Sequence, residues 1–201
     1  MFTGLIEAVG TVANVESTAT ERRLRIATTL APELSSGDSL AINGVCLTVV
    51  VTGTGVVHVD VGPETAQVTT LGSVKADQRV NLERSMRADG RMGGHFVQGH
   101  VDGMGIVSDM RRDGDSHWLT VSFDRGLAAY LIPKGSIAVD GVSLTVAHLR
   151  HNEFDVMIIP FTWDHTTLST LTPGDRVNLE CDMIGKYVAR TLELSGANRL
   201  V

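Results

Sequence analysis

At 201 residues the chain has room for one large domain or two small ones, and 43% hydrophobic with 20% charged residues describes a globular protein rather than a disordered one. A formal net charge of −6, with no Lys/Arg cluster beyond Arg111-Arg112, argues against nucleic acid as a partner. No apolar run reaches the roughly 18–20 residues of a membrane helix, the opening Met1-Phe2-Thr3-Gly4-Leu5-Ile6-Glu7 lacks the basic start of a secretory signal, and Cys46 and Cys181, with no CxxC pair, read as free thiols of a cytoplasmic protein rather than zinc ligands.

In chain order, residues 40–51 are dense in β-branched side chains and contain Asn43-Gly44, a turn dipeptide between apolar runs, which predicts a hairpin. Val56-Val57-His58-Val59-Asp60-Val61 alternates apolar and polar residues, as a half-buried strand does. The Thr-rich stretch after Pro63 reads as a short helical piece over a barrel end. Gly103-Met104-Gly105-Ile106-Val107-Ser108 lacks the third glycine of a dinucleotide fingerprint, and there is neither a P-loop nor a Gly-x-Ser-x-Gly elbow. Residues 120–124 alternate less cleanly, residues 125–131 read as another short helical piece, and Asp140-Gly141 marks a second hairpin. A Thr-rich turn follows Pro160. In the tail, Ile184, Tyr187, Val188, Thr191 and Leu192 share one face at helical spacing. That helix must bury its stripe, either on its own chain or among partner helices in an oligomer.

These signals occur twice. Ser39-Leu40-Ala41-Ile42-Asn43-Gly44-Val45-Cys46-Leu47-Thr48-Val49 returns 97 residues later as Ser136-Ile137-Ala138-Val139-Asp140-Gly141-Val142-Ser143-Leu144-Thr145-Val146, and Arg79-Val80-Asn81-Leu82-Glu83 returns unchanged as Arg176-Val177-Asn178-Leu179-Glu180. Pro63-Glu64-Thr65 with Thr69-Thr70-Leu71 matches Pro160-Phe161-Thr162 with Thr166-Thr167-Leu168, and Gly4-Leu5-Ile6-Glu7 matches Gly99-His100-Val101-Asp102 at a separation of 95. The fold expected is therefore all-β: two homologous small antiparallel Greek-key β-barrels from an internal duplication, plus a C-terminal α-helix. The domains are residues 1–93 and 94–182, joined near Gly93-Gly94, followed by a helix and tail over residues 183–201.

Two similar barrels suit the binding of two similar molecules, so matched positions that differ carry the most information. Cys46 stands where Ser143 stands. The pair reads either as unequal nucleophile-type groups at two related sites or as a small buried hydrophobe and a satisfied strand serine. His100 lies between glycines, as ligand-site residues often do, and suits a proton shuttle or hydrogen-bond donor. His95, His100 and Asp102 suggest a metal cluster, but a strand would send His95 and His100 to opposite faces.

Met1-Phe2-Thr3-Gly4, Asn43-Gly44-Val45-Cys46-Leu47-Thr48-Val49, Gly93-Gly94-His95 running to Gly99-His100-Val101, and Asp140-Gly141-Val142-Ser143-Leu144-Thr145-Val146 together resemble riboflavin synthases of the duplicated-barrel type. Ile159-Pro160 with Thr162 and His165-Thr166-Thr167-Leu168, and Asn178-Leu179-Glu180 ahead of Asp182, extend the resemblance over nearly the whole chain. It implies a dismutation in which one 6,7-dimethyl-8-ribityllumazine gives a four-carbon unit to another, with no cofactor and no metal, in a homotrimer built on the tail helix. Each active site then lies between the N-terminal barrel of one subunit and the C-terminal barrel of a neighbour, and two lumazines occupy it.

The resemblance also places the site residues. Ligand contacts fall on Gly4, Leu5 and Ile6, on Cys46, Leu47 and Thr48, and on Asp60, Val61, Gly62, Pro63, Glu64 and Thr65 for the N-terminal barrel. For the C-terminal barrel they fall on Gly99, His100 and Val101, on Ser143, Leu144 and Thr145, and on Ile159, Pro160, Phe161, Thr162, Trp163 and Asp164. Lys134 matches a lysine that reaches the ligand across the subunit interface. Cys46 or His100 is assigned to nucleophile addition or proton transfer, Ser143, Thr145 and Asp182 to positioning and polarising the second lumazine, and Phe2 to fixing the N-terminus. Gly62, Phe161 and Trp163 replace residues that vary in the family. Fluorescent lumazine- and flavin-binding proteins of the same fold are the non-catalytic alternative, and they lack the constellation Cys46, His100, Lys134, Ser143 and Asp182. A flavin reductase needs a nicotinamide domain for which no residues remain.

Overall fold

A computed structural model of the chain describes residues 1–17 and 21–196. The first half forms six strands: β1 (Ala8–Ser17), β2 (Arg22–Ala27), β3 (Ser39–Ile42), β4 (Val45–Gly53), β5 (Val56–Val61) and β6 (Arg79–Arg84). They close into an antiparallel barrel in the order β1-β2-β5-β4-β3-β6. The run β3-β4-β5 is a meander, and the chain then returns through the short helix α1 (Pro63–Val68) to set β6 beside β3, which is Greek-key topology. The second half repeats the plan with β7 (Gly103–Asp113), β8 (Ser116–Ser122), β9 (Ser136–Val139), β10 (Val142–Leu149), β11 (Glu153–Ile158), the helix α2 (Pro160–His165) and β12 (Arg176–Cys181), again a closed barrel. The expected all-β duplication, the hairpins and the short helical pieces are all present. Residues 125–131 contribute a 3-10 turn over Arg125–Tyr130.

Even the irregularities recur. Register shifts fall between Val12 and Asn14 and between Val49 and Val51 in the first barrel, and between Val107 and Asp109 and between Val146 and His148 in the second. Such bulges sharpen strand curvature, which a six-stranded sheet needs in order to close. Each barrel encloses its own apolar core. Leu24, Ile26, Leu40, Ile42 and Leu82 are fully buried in the first, and Leu119, Ile137, Phe154, Ile158 and Leu179 in the second. Each such side chain contributes about 1.5–3 kcal/mol by leaving water.

The barrels meet through their hairpin turns about a pseudo-twofold axis. Asn43-Gly44 and Asp140-Gly141 make tight turns with positive φ at both residues, as the turn dipeptides require. The Asn81 amide donates to the Asp140 carbonyl at 2.9 Å, and Asn178 donates to that of Asn43 at 2.8 Å. Their side-chain oxygens accept from the Thr167 and Thr70 backbone N–H groups, both at 2.8 Å. The asparagine of each Arg-Val-Asn-Leu-Glu block thus ties its own barrel to the other.

Two irregular straps precede the barrels, residues 1–7 and 95–102. They cross at Phe2 and Val97, which exchange backbone hydrogen bonds of 2.7 and 3.1 Å. Phe2 is wholly buried with Ala41, Ala138 and Val97, and Cys46 packs against this cluster, so the N-terminus is fixed where the barrels converge. The tail helix α3 (Met183–Leu194) is capped by Asp182 and rests on the Tyr130 backbone at Gly185, leaving Ile184, Tyr187, Val188 and Leu192 exposed. Residues 197–201 of the expected tail lie outside the described residues.

Candidate functional site

Each strap serves the opposite barrel. Gly4 accepts the Ser143 backbone N–H at 2.8 Å, and Gly99 accepts that of Cys46 at 2.9 Å. Both glycines have positive φ, and a Cβ on either would lie 2.5–2.6 Å from the Cβ of Cys46 or Ser143, so only glycine fits. Ile6 accordingly packs on the core of the second barrel and Val101 on that of the first. This corrects the grouping expected from the sequence: Gly4, Leu5 and Ile6 go with Ser143, and Gly99, His100 and Val101 with Cys46. Sequence order assigned each strap to the barrel it precedes, and the crossing at Phe2 and Val97 exchanges them.

Two cavities lie at the matched pairs Cys46/Ser143 and Thr65/Thr162; the strap lines the first, whereas the expected contacts Gly4 and Ile6 do not line the second. The first, about 270 Å³, is lined by Cys46, Glu64, Thr65, Gly99, His100 and Val101, among others. The second, about 370 Å³, is lined by Lys134, Ser143, Leu144, Thr145, Ile159 and Thr162, with Ala147 and Met157. Both lie near the lower end of the roughly 300–1,000 Å³ range of small-molecule sites. Cys46 pairs with Ala41 across β3 and β4, and Ser143 with Ala138 across β9 and β10, so each reactive-type side chain faces a small residue.

Not every expected contact residue reaches these cavities. Leu47 and Val61 belong to the first core. Asp60 is engaged by Arg23 in a bidentate ion pair of 2.7 and 2.8 Å, which holds its carboxyl below the usual range. Gly62 and Pro63 are the cap and first turn of α1, and Thr48 is exposed on β4. Pro160 opens α2, Phe161 stacks on His165 at 4.1 Å, Asp164 is exposed, and Trp163 stacks on His117 at 3.7 Å against the second core. Leu5 lines a separate hollow beside Glu83 and Arg84. Lys134, held with positive φ by its N–H bond to Val146, lines the cavity of its own barrel.

Sequence reasoning passed over the most informative contact. His95 is 8% exposed, and its Nδ1 lies 2.7 Å from Ser143 Oγ. Burial holds its pKa below the ordinary histidine value, with the Asp182 carboxylate pulling the other way, so the ring is neutral at pH 7 and able to take the serine proton. The buried Nε2 has no protein partner. The strand-face argument applied to His95 and His100 has no strand to act on, because residues 95–102 are a strap; His95 bonds Ser143 while His100 lines the Cys46 cavity. Among the described residues no cluster of three or more His, Cys, Asp or Glu is arranged to hold a metal ion. Both cysteines are free thiols.

The lumazine binding domain family matches residues 3–85 and 98–182, one match for each barrel. Over 200 residues the chain is 41% identical to the riboflavin synthase of Bacillus subtilis (strain 168), covering 99% of this chain and 93% of that protein. The chain belongs to the riboflavin synthase family. The riboflavin synthase of Schizosaccharomyces pombe is 40% identical over 196 residues, covering 96% of this chain and 94% of its own. The crystal structure of LumP complexed with riboflavin matches with a TM-score of 0.85, covering 90% of this chain and 99% of LumP, at 22% identity, which speaks for the fold alone. Cys46 and Ser143 fall one in each matched unit, and the Cys46 cavity also takes Gly99, His100 and Val101 from the other unit.

Proposed function

We propose that the chain is a riboflavin synthase, converting two molecules of 6,7-dimethyl-8-ribityllumazine into riboflavin and 5-amino-6-ribitylaminouracil by transfer of a four-carbon unit. The observation that carries this reading is the pair of like-built cavities that differ at their centres, Cys46 in one and Ser143 with His95 in the other. A dismutation needs two identical molecules held alike and treated differently, and a duplicated scaffold with two unequal centres meets that need. The lumazine C7 methyl is acidified by the conjugated ring, so the protein's work is to orient the pair, exclude water and move protons.

In this reading Cys46 and His100 act on one lumazine by nucleophile addition and proton transfer. Ser143, deprotonated towards His95, acts with Thr145 and Asp182 on the other, and neither a cofactor nor a metal enters. Gly4, Ile6, Glu64, Thr65, Gly99, Val101, Lys134, Leu144, Ile159 and Thr162 shape the two binding surfaces. His100, Thr145 and Lys134 are exposed in the single chain, as they must be if the reacting face is completed by the opposite barrel of a second subunit. The bare apolar stripe of α3 supplies the contact for a homotrimer. The functional units are residues 1–93 and 94–182, with the oligomerisation segment at 183–201, and the enzyme works in the cytoplasm.

The test is to incubate the purified protein with 6,7-dimethyl-8-ribityllumazine alone and follow both compounds by absorbance and chromatography. Riboflavin appearing at half the lumazine consumed is the expected result. Tight binding without turnover overturns the catalytic reading in favour of a lumazine carrier.

A further inference from the structure

The repeated Arg-Val-Asn-Leu-Glu blocks end in two glutamates that no ligand contact explains. Glu83 is 5% and Glu180 2% exposed, and neither lines the Cys46 or the Ser143 cavity. Each carboxylate is spent on a strap. Glu83 accepts the Thr3 N–H and hydroxyl, both at 2.7 Å, and the Gly4 N–H at 2.9 Å. Glu180 accepts the N–H groups of Gln98 at 2.6 Å and of Gly99 and His100 at 2.9 Å. A second carboxylate secures each strap further along: Glu7 accepts the Arg84 N–H at 2.9 Å, and Asp102 accepts that of Cys181 at 2.8 Å while pairing with Lys186 of α3 at 2.7 Å. Burial pushes both clamp carboxyls upward, and the converging N–H donors pull them part of the way back.

The straps cross, so the clamps act crosswise. The geometry points to Glu83 and Glu180 as positioning residues, each built into one barrel and each setting the site of the other: Glu180 holds Gly99 and His100 on Cys46, and Glu83 holds Gly4 on Ser143. As a role in catalysis this rests on the function proposed above, but the wiring itself is testable without turnover. A carboxylate that only braced its own barrel would disturb its own site instead. Glu83 sits on β6, which pairs with β3, which pairs in turn with the strand bearing Cys46.

Cys46 is the reporter. It is partly exposed and lies under Gly99, whereas Cys181 is 1% exposed with its thiol pushed up to about 12 by burial, and so is inert to a thiol reagent at pH 7.5. The experiment measures the rate at which 5,5′-dithiobis(2-nitrobenzoate) modifies Cys46 in the full-length wild type, Glu180→Gln and Glu83→Gln. Gln presents an N–H₂ group to N–H donors and leaves part of the strap unheld. Glu180→Gln, far from Cys46 in sequence and in the other barrel, is expected to speed labelling about tenfold, the scale on which losing charge-assisted hydrogen bonds acts. Glu83→Gln, whose strap meets Cys46 at Phe2 rather than lying over the thiol, is expected to speed labelling only about twofold to threefold, well short of Glu180→Gln. Glu180→Asp, which keeps the charge but draws it back by one methylene, should fall between wild type and Gln, and it carries the test if the Gln variant does not fold. An unchanged rate in the Glu180 variants, or acceleration by Glu83→Gln equal to that by Glu180→Gln, overturns the crosswise assignment. Lumazine turnover is read separately. A wild type that forms no riboflavin sinks the proposed function while the labelling rates still decide the wiring.

Discussion

The two barrels share closure order, bulge positions, turn geometry and the Asn bridges that join them, and they differ where chemistry is done. Cys46 stands at the position matched by Ser143, and Asn43 at that matched by Asp140; His95, on the strap whose Gly99 lies over Cys46, bonds Ser143 of the second barrel. Among the described residues, only the second barrel continues into a helix. The matched scaffold residues make the same contacts in each half, Asn81 and Asn178 above all, whereas the matched site residues differ.

The largest effect expected from breaking this difference is in Cys46→Ala combined with Ser143→Ala. Removing both reactive groups should lower riboflavin formation about a thousandfold, within the range of proton-transfer and nucleophile losses. A double variant turning over like wild type would reduce Cys46 and Ser143 to packing. Next is removal of the element that has no partner in the first half. A chain ending at Asp182 should sediment as a monomer, still bind lumazine, and turn over several hundredfold more slowly, because the two reacting molecules are no longer held together. An unchanged sedimentation profile would assign the exposed stripe of Ile184, Tyr187, Val188 and Leu192 to some other purpose.

What the sequence disclosed followed from repetition and local chemistry. Asn43-Gly44 and Asp140-Gly141 announce tight turns, Val56–Val61 announces a strand in its alternation, and Pro63 and Pro160 open helices. The strands β1 and β7 and the exchange of straps were illegible. Residues 95–102 carry no periodicity, and which barrel a strap covers depends on the long-range pairing of Phe2 with Val97. The partner of His95 is illegible for the same reason: it is Ser143, 48 residues away, and not a neighbour in sequence. Asp60 looked like a ligand residue by position, yet the cross-strand Arg23 claims it.

His95→Gln sharpens the asymmetry between the centres. With its pKa held below 6.5, the imidazole is a base at pH 7 and becomes protonated only as pH falls through that lowered value. Wild-type turnover should therefore show an acid limb with a midpoint below 6.5, and Gln should lower the plateau about a hundredfold and erase that limb. The pH profile of kcat decides it. If the limb survives in the variant, another group titrates and His95 only packs.

The smallest effect concerns stability and the turn pair Asn43 and Asp140. Both side chains accept a backbone N–H from the opposite strand, Asn43 from Asn81 at 2.7 Å and Asp140 from Asn178 at 2.8 Å, so a neutral amide already does this work in the first barrel. Asp140 is wholly enclosed, and burial lifts its carboxyl to about 7, against an ordinary value of 3.8. Because the folded pKa lies above the unfolded one, the folded state holds the proton more tightly. Its stabilising contribution is complete below about pH 4 and is lost as pH rises towards 7, where the enclosed group must ionise. Asp140→Asn removes that dependence. Measured by urea unfolding, the difference between variant and wild type should move in the variant's favour by on the order of 2 kcal/mol between pH 5.5 and 7.5. A difference that stays flat across that interval would mean Asp140 ionises at its ordinary value, with solvent reaching the turn pair that Asn43 and Asp140 otherwise seal.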